Sequence, residues 1–173
     1  RRCFAFFHPA MVDEPLIFVE VALSREIPAA IAPILVKDRE IVSADKVRTA
    51  TFYSISNCQR GLAGVSFGNF LIKQVVMELR RDFPGLKQFV TLSPIPGFRA
   101  WLERELKKPE LTLLSEPQRQ LSRDQLPKES QRNPALAEQM RELLMPLCAI
   151  YLAHARRGEQ PLDAVERFHL SNG

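Results

Sequence analysis

The sequence has 173 residues, of which 46% are hydrophobic and 25% charged, and its net charge at pH 7 is +4. This composition is typical of a globular domain and excludes collagen-like, low-complexity and strongly basic nucleic-acid-binding chains. Cys3, Cys58 and Cys148 form neither a metal-ligand pair nor a disulfide framework, so a reducing compartment is expected. No apolar run reaches the ~20 residues of a membrane helix.

Two strands are predicted first, over residues 3–8 and 15–23, because both segments are apolar, aromatic and β-branched and a turn-rich stretch separates them. We expect the two strands to pair in antiparallel fashion. A short helix beginning near Pro28 is predicted within residues 26–36, although Pro33 disfavours its continuation. A polar surface loop should follow.

A strand, a glycine-containing loop, a helix and a second strand are predicted next. Residues 48–56 alternate and are rich in Thr, Phe, Tyr and Ile, which is typical of a central strand. Apolar residues recur at helical spacing from Phe67 to Phe83 and predict a long amphipathic helix. Residues 87–92 form another short strand. This βαβ order implies a parallel pair of strands.

The remainder is predicted to be helical. One helix is expected over residues 97–107 and another over 135–156, bent or broken near Pro146. The charged, proline-punctuated stretch 108–134 lies between them and has little apolar periodicity. We expect it to be a solvated helical insertion. The chain begins without Met and closes on a polar stretch, so we expect an internal piece of a longer protein, truncated at both ends.

The loop of residues 60–69 is a candidate anion-binding site. Glycine lets a backbone approach a ligand closely, and the first N–H groups of the following helix have no intrahelical partner. Together with the helix dipole, these groups favour a phosphate or pyrophosphate. The glycine spacing is neither the Rossmann fingerprint nor a P-loop. The alternative is a glycine-rich turn that only reverses the chain.

The same loop contains a possible nucleophile. Residues 64–68 read G-x-S-x-G, the nucleophile elbow of α/β-hydrolases, and Asp163 and His169 follow in the order of a hydrolase triad. In an elbow, however, the serine follows its strand on one sharp turn, whereas residues 57–63 intervene here. The match therefore gives only weak support to a serine hydrolase.

Ser93 is a second candidate, because it follows a predicted strand and precedes Pro94 and Pro96. The two prolines fix two φ angles and donate no backbone hydrogen bond, so the segment should be rigid. The carboxyl ends of strands are where open α/β sheets bind ligands. The alternative is a rigid turn that starts the next helix.

The three histidines show no ligand spacing, so no metal site is expected. His8 follows a predicted strand and His154 lies on a predicted helix surface. His169 is flanked by apolar residues and then by turn formers. A lone histidine of this kind is usually structural.

A resemblance to a known family rests on several short segments that occur in the same order along the chain: Arg1-Arg2-Cys3-Phe4, Phe52-Tyr53-Ser54-Ile55-Ser56, Gly61-Leu62-Ala63-Gly64-Val65, Phe70-Leu71-Ile72-Lys73, Leu92-Ser93-Pro94-Ile95-Pro96-Gly97-Phe98 and Phe168-His169-Leu170-x-Asn172-Gly173. With them the chain resembles the malonyl-CoA decarboxylase family along its whole length. The likeness is weakest over residues 24–47 and 105–143.

The resemblance implies a fold and a set of site residues. The fold is α/β (α+β), a mixed central sheet flanked by helices like that of the GNAT acetyltransferases. Ser93 corresponds to the family's proton acceptor and His169 to its proton donor, and both belong to the malonyl-CoA site. The position of Ser66 varies in the family, which argues against a nucleophile there, and Ala63 replaces a familiar glutamine. The substrate-binding loop corresponds to Ala63, Gly64, Val65, Ser66, Phe67, Gly68 and Asn69.

The resemblance also implies an activity and an organisation. Residues 1–173 would form a catalytic domain that converts malonyl-CoA to acetyl-CoA and CO2 in fatty acid metabolism, without a metal or another cofactor. Neither nucleic acid nor membrane is an expected partner, and homo-oligomers are expected through a helical domain outside this chain. The expected location is the cytoplasm, or mitochondria or peroxisomes in a eukaryote. Alternatives are a CoA-dependent acyltransferase, a CoA-sensing domain, and a thioesterase using Ser66, Asp163 and His169.

Overall fold

A computed structural model describes residues 1–62, 65, 67–108, 115–125 and 134–171. The chain divides into two compact units, Arg1–Ser93 and Pro94–Gly173. The first unit holds β1 (Arg2–Phe7), β2 (Pro15–Ser24), α1 (Ala32–Leu35), β3 (Thr49–Asn57), α2 (Phe67–Asp82) and β4 (Gln88–Thr91). The second holds α3 (Phe98–Glu105), α4 (Glu116–Gln125), α5 (Pro134–His154), β5 (Arg156–Arg157), β6 (Gln160–Pro161) and α6 (Ala164–Ser171).

The sheet of the first unit is mixed, with the strand order β1-β2-β3-β4. β1 pairs antiparallel with β2 and β2 antiparallel with β3, whereas β3 and β4 are parallel. Residues 58–87 therefore form a crossover between two parallel neighbours, as the βαβ prediction requires. The predicted antiparallel pair, the parallel pair and the long helix are all confirmed.

Both faces of the sheet carry a helix. α2 buries the stripe Leu71, Val75 and Leu79 against apolar strand residues, among them Val21 and Phe52. Neighbouring residues on a strand point to opposite faces. Ala22 and Tyr53 accordingly pack on the other side, with Ile34 of α1 and Leu92. The sheet is thus flanked by helices, as expected.

The first helix is shorter than predicted and begins at Ala32 rather than near Pro28. Pro33 explains the difference, since it occupies one of the first two positions of α1. A proline is accepted in the first turn of a helix, where its missing N–H would have no partner. Further inside, its ring would clash with the carbonyl group four residues earlier. A helix that contains Pro33 must therefore begin close to it.

The second unit is mostly helical, as predicted, and of the two expectations for Pro146, a bend or a break, the break does not occur. α5 continues through Pro146 as one helix, with Leu143 and Leu147 buried on both sides of the proline. A short hairpin, β5–β6, occupies residues that were expected to be helical, and Gly158 in its turn has φ +62°. Two-residue strands are too short to produce a recognisable alternation.

The charged stretch 108–134 is described over Lys108 and residues 115–125. α4 lies within it and carries two buried polar residues, Arg119 and Ser122. Arg123 Nη2 donates to the Leu106 carbonyl (2.7 Å), and Arg119 Nη1 donates to the Lys108 carbonyl (3.2 Å). These guanidinium groups donate to carbonyls just past the end of α3, which have no N–H partner within the helix. The described part of this stretch is therefore not a wholly solvated insertion.

Leu79→Ala should destabilise the first unit strongly. The Leu79 side chain has 0% exposure in the interface between α2 and the sheet. Truncation removes buried apolar area and leaves a cavity, which costs about 2–5 kcal/mol. Met77→Ala on the same helix is the control, because Met77 is 56% exposed and should cost less than about 0.5 kcal/mol. Urea unfolding compares the two, and equal losses would contradict this account of the core.

Candidate active site

The start of α2 (Phe67–Asp82) is the part of the predicted anion site that the structure describes best. The Val65 N–H donates to the Leu62 carbonyl (3.0 Å) and the Phe67 N–H to the Val65 carbonyl (3.0 Å), so the chain turns tightly into the helix. No acidic residue lies in the first turn of α2. The positive end of the helix dipole therefore faces no competing negative charge from that turn.

The predicted binding loop is only partly described. Val65 is exposed, Phe67 and Asn69 are half-buried, and Gly68 is buried in the first turn of α2. Ala63, Gly64 and Ser66 lie outside the described residues, so the predictions for these three positions stay predictions.

The pairing of β3 with β4 ends at the edge of the sheet from which the chain leads to α2. Their ladder pairs Thr49–Phe52 with Gln88–Thr91, and one further bond runs from the Leu92 N–H to the Phe52 carbonyl (2.8 Å). β3 then continues for five residues, Tyr53–Asn57, past the end of the ladder. Its register with β2 shifts at the same point, where Tyr53 is the extra residue. A bulge of this kind bends a strand and increases its twist.

Ser93 follows β4 at this same edge. It is exposed and closes the first unit, and Leu92 before it is still joined to β3. Since parallel strands present their carboxyl ends at one edge, the loop entering α2 and Ser93 both leave the sheet there. The structure thus brings the two predicted site segments of the first unit to one side of the sheet.

His169 lies in α6 of the second unit. Its side chain is half-buried and its ring meets that of Phe168 nearly edge-on, with 5.3 Å between centroids and 74° between planes. The Ser171 hydroxyl donates to the Phe168 carbonyl (2.8 Å) at the end of the helix. His169 therefore lies in a regular helix, in keeping with the helical prediction for the last part of the chain.

Asp163 begins that helix and is almost completely buried, with 2% exposure. Its Oδ1 accepts hydrogen bonds from the N–H groups of Val165 (2.8 Å) and Glu166 (3.3 Å). Its Oδ2 accepts one from the Gly97 N–H (3.1 Å) and one from the Tyr151 hydroxyl (3.1 Å). One carboxylate thus caps α6 and also holds α5 and the segment before α3.

These contacts determine the pKa shifts of Asp163 and Tyr151. Burial by itself would raise the pKa of the Asp163 carboxyl, but the hydrogen bonds from Gly97, Val165, Glu166 and Tyr151 outweigh it and lower the pKa. Burial, then the hydrogen bond to Asp163, raises the pKa of Tyr151 to about 12. Asp163 is therefore ionised and Tyr151 neutral at pH 7.

These contacts contradict the hydrolase alternative that uses Ser66, Asp163 and His169. A triad acid must orient its histidine, whereas both oxygens of Asp163 already bind other groups. His169 is also six positions further along α6, which is a rise of roughly 9 Å on a different face. Asp163 is a helix cap with further partners, not a triad acid.

The two other histidines lie at the ends of secondary-structure elements. His8 Nδ1 accepts the Ala10 N–H (3.1 Å) just after β1, and His154 is exposed at the end of α5. Cys3, Cys58 and Cys148 are free cysteines. In the part of the chain that the structure describes, no three His, Cys, Asp or Glu side chains come together to hold a metal ion. No helix among the described residues is long and apolar enough to cross a membrane.

The contacts of Tyr151 and Gly97 were missed by the sequence analysis. A Cβ atom on Gly97 would lie 2.1 Å from the Tyr151 hydroxyl oxygen and 3.0 Å from Asp163 Oδ2, so only glycine fits there. One signal was available, since Asp163 and Glu166 have the spacing of a helix capping box. No local pattern marks Tyr151 as a partner of either residue.

The class of the domain follows from this geometry: it is a GNAT-like mixed sheet flanked by helices, with a helix start and a strand end meeting at one edge. The whole chain, residues 1–173, matches the family described as malonyl-CoA decarboxylase C-terminal domain. The chain belongs to this family.

Relatives and solved structures agree with that assignment. Mitochondrial malonyl-CoA decarboxylase of Anser anser anser is 38% identical over 100% of this chain and 38% of its own length, and that of Rattus norvegicus is 34% identical, with 39% of its length covered. The crystal structure of malonyl-CoA decarboxylase from Agrobacterium vitis is 51% identical with a TM-score of 0.87, over 100% of this chain and 43% of the other. That from Rhodopseudomonas palustris is 51% identical with a TM-score of 0.85, over 99% and 40%. The chain thus spans about two fifths of these proteins.

Asp163 should make stability depend on pH. Because its folded-state pKa is lowered, its contribution is complete above the unfolded-state pKa of about 3.9 and is lost as pH falls through the folded-state pKa. Asp163→Asn should lower the melting temperature at pH 7 and flatten its decline between about pH 5 and 2. The exposed Asp38→Asn is the control. Parallel pH profiles for wild type and Asp163→Asn would contradict the expectation.

Proposed function

We propose that the protein containing this chain converts malonyl-CoA to acetyl-CoA and CO2. The observation that carries the proposal is the sheet edge where β3 and β4 part, because it brings the start of α2 and Ser93 to one side of the sheet. A helix start with no acidic residue in its first turn suits the pyrophosphate of CoA. Membership of the decarboxylase family over residues 1–173 supports the same reaction.

The segment of β3 beyond its ladder with β4 supplies a second element of the proposal. Beyond Phe52, the backbone of β3 continues without the β4 ladder that precedes it. An extended chain such as the pantetheine arm of CoA can lie along backbone groups of this kind and bring its thioester toward Ser93. The anion site holds one end of the substrate, and the sheet edge aligns the other.

The reaction breaks the bond between the malonyl carboxylate carbon and the α carbon. The electron pair of that bond passes into the thioester, which gives an enolate and releases CO2. A proton added to the α carbon then gives acetyl-CoA. The rate depends on fixed hydrogen-bond donors toward the thioester oxygen and on prompt protonation. Since the thioester itself delocalises the charge, the proposed reaction requires no metal, biotin or pyridoxal phosphate.

We assign the proton transfer to His169 and the polar contact at the malonyl group to Ser93. Imidazole suits a proton donor because its pKa lies near the operating pH. The Ser93 hydroxyl, which the family resemblance makes a proton acceptor, is carried by a segment that Pro94 and Pro96 stiffen, so it hydrogen-bonds the malonyl carboxylate or thioester with little loss of freedom. Turnover of malonyl-CoA would connect the protein to fatty acid metabolism.

The full-length protein should release CO2 and acetyl-CoA from malonyl-CoA in the presence of EDTA. Coupled CO2 detection and chromatography of the CoA products measure both. Free CoA as the product would indicate a thioesterase, and acyl transfer from acetyl-CoA to an amine without CO2 release would indicate an acyltransferase. Activity that EDTA removes and a divalent ion restores would contradict the metal-free reaction.

Variants should separate chemistry from binding. His169→Asn should lower kcat on the order of 10²–10⁴-fold, and Ser93→Ala should lower it about 10²-fold or more. In both variants the CoA affinity measured by calorimetry should change little. Gly68→Val should weaken CoA binding more than it lowers kcat, because a branched side chain in the buried first turn of α2 would displace the backbone groups of the proposed anion site.

Matched controls are available for each variant. His154→Asn and Ser43→Ala alter exposed residues of the same types and should leave kcat unchanged. Gly61→Ala lies in the segment before α2, and its added Cβ would meet no atom within 4 Å, so CoA affinity should persist. If His169→Asn abolished CoA binding and left turnover per bound substrate intact, His169 would be a binding residue.

A further inference from the structure

α6 carries His169, and its apolar residues Val165 and Phe168 are only half-buried. None of its residues, Ala164–Ser171, is fully buried. Helices in proteins usually owe their position to an apolar face pressed against a core. Polar contacts, which are directional and depend on a few atoms, therefore matter for the position of α6.

Several polar contacts hold α6 to its neighbours in the second unit. Arg156, just after α5, bridges to Glu166 Oε1 (3.2 Å) while its guanidinium also donates to the Ala153 carbonyl (2.9 Å). Arg167 Nη1 donates to the carbonyls of Pro161 (2.7 Å) and Leu162 (3.0 Å). The Arg156 side chain is partly exposed. Arg167 binds only the chain directly before α6. They tether the helix without reaching α3.

Asp163 differs from them because it is buried and reaches further. Its Oδ1 caps α6, and its Oδ2 binds the Gly97 N–H, which lies 66 positions away in the sequence. The Tyr151 hydroxyl donates to the same Oδ2 and also fills the space where a Gly97 side chain would stand. Gly97 in turn closes the Pro94–Pro96 segment that begins directly after Ser93.

We propose that Asp163 is a positioning residue for the decarboxylation proposed above: its carboxylate fixes the start of α6, and hence His169, to the proline segment that follows Ser93. Tyr151 keeps the carboxylate oriented toward Gly97. His169 is about 9 Å along the helix from this cap, so a small tilt at the cap becomes a larger displacement at the imidazole. A displacement of about 1 Å at a reacting group can cost on the order of 10²-fold in rate. This inference rests on the proposed function.

Two substitutions of Asp163 separate its role as the cap of α6 from its hydrogen bond with Gly97. Asn and Ser both cap helices well, so Asp163→Asn and Asp163→Ser should keep α6 folded. Asn presents an amide N–H₂ where Oδ2 accepted the Gly97 N–H, and Ser has no second oxygen, so both lose the connection. We expect kcat for malonyl-CoA in the full-length protein to fall about 10–100-fold, with KM and CoA affinity within about threefold of wild type. Tyr151→Phe should lower kcat less, by about 3–10-fold.

A control variant distinguishes positioning from general loss of stability. Met140→Ala removes a 5% exposed side chain from the apolar core of the second unit, far along α5 from Tyr151. Below its melting temperature it should keep kcat within about twofold of wild type. If Met140→Ala lowered kcat as much as Asp163→Ser at an equal loss of melting temperature, the positioning role would be wrong.

A spectroscopic measurement tests the inference without relying on turnover. With ¹⁵N-labelled histidine, the imidazole signal that disappears in His169→Asn belongs to His169. In Asp163→Ser that signal should shift or broaden, while the signal of His8 in the first unit stays in place. An unchanged His169 signal would overturn the inference. A wild-type protein that releases no CO2 would overturn the proposed function instead, and the imidazole signals would still decide whether Asp163 controls His169.

Discussion

The short parallel ladder between β3 and β4 is the constraint on which the proposed site of the first unit depends. It pairs Thr49–Phe52 with Gln88–Thr91 and then ends, so both chains leave the sheet at one edge. Ala50 and Phe52, within the ladder, are buried in the core that α2 covers. The packing that holds α2 to the sheet therefore also sets the direction in which its N-terminal dipole points. Core packing and the proposed anion site therefore depend on the same helix.

In the second unit, position is set by polar groups instead. Apolar packing is strong but tolerant of small shifts, because it has no preferred direction. Hydrogen bonds tolerate little deviation in distance or angle, and a buried donor or acceptor that loses its partner is costly. The Asp163 carboxylate, with four donors around it, therefore defines the start of α6 more narrowly than a few apolar contacts would. This suits a helix that, in the proposed function, presents one side chain, His169.

The elements with strong periodicity were predictable from the sequence. Residues 48–56 were expected as a strand and β3 spans Thr49–Asn57, and the apolar stripe of α2 is buried as predicted. The differences arise where tertiary contacts override local preference. α5 continues through Pro146 because the residues on both sides of it are buried in one core. The hairpin β5–β6 has too few residues to show a pattern, and it forms where Gly158 permits a positive φ.

The sequence by itself determined the family, the mixed α/β class and the candidate residues Ser93 and His169, because ordered motifs and apolar periodicity are properties of neighbouring residues along the chain. Only the tertiary structure decided the role of Asp163, which the sequence suggested as a triad acid and the fold makes a buried cap. Its partner Gly97 is 66 positions away. Hydrogen bonds between such distant groups depend on how the backbone brings atoms within about 3 Å of each other, and no local pattern records that distance.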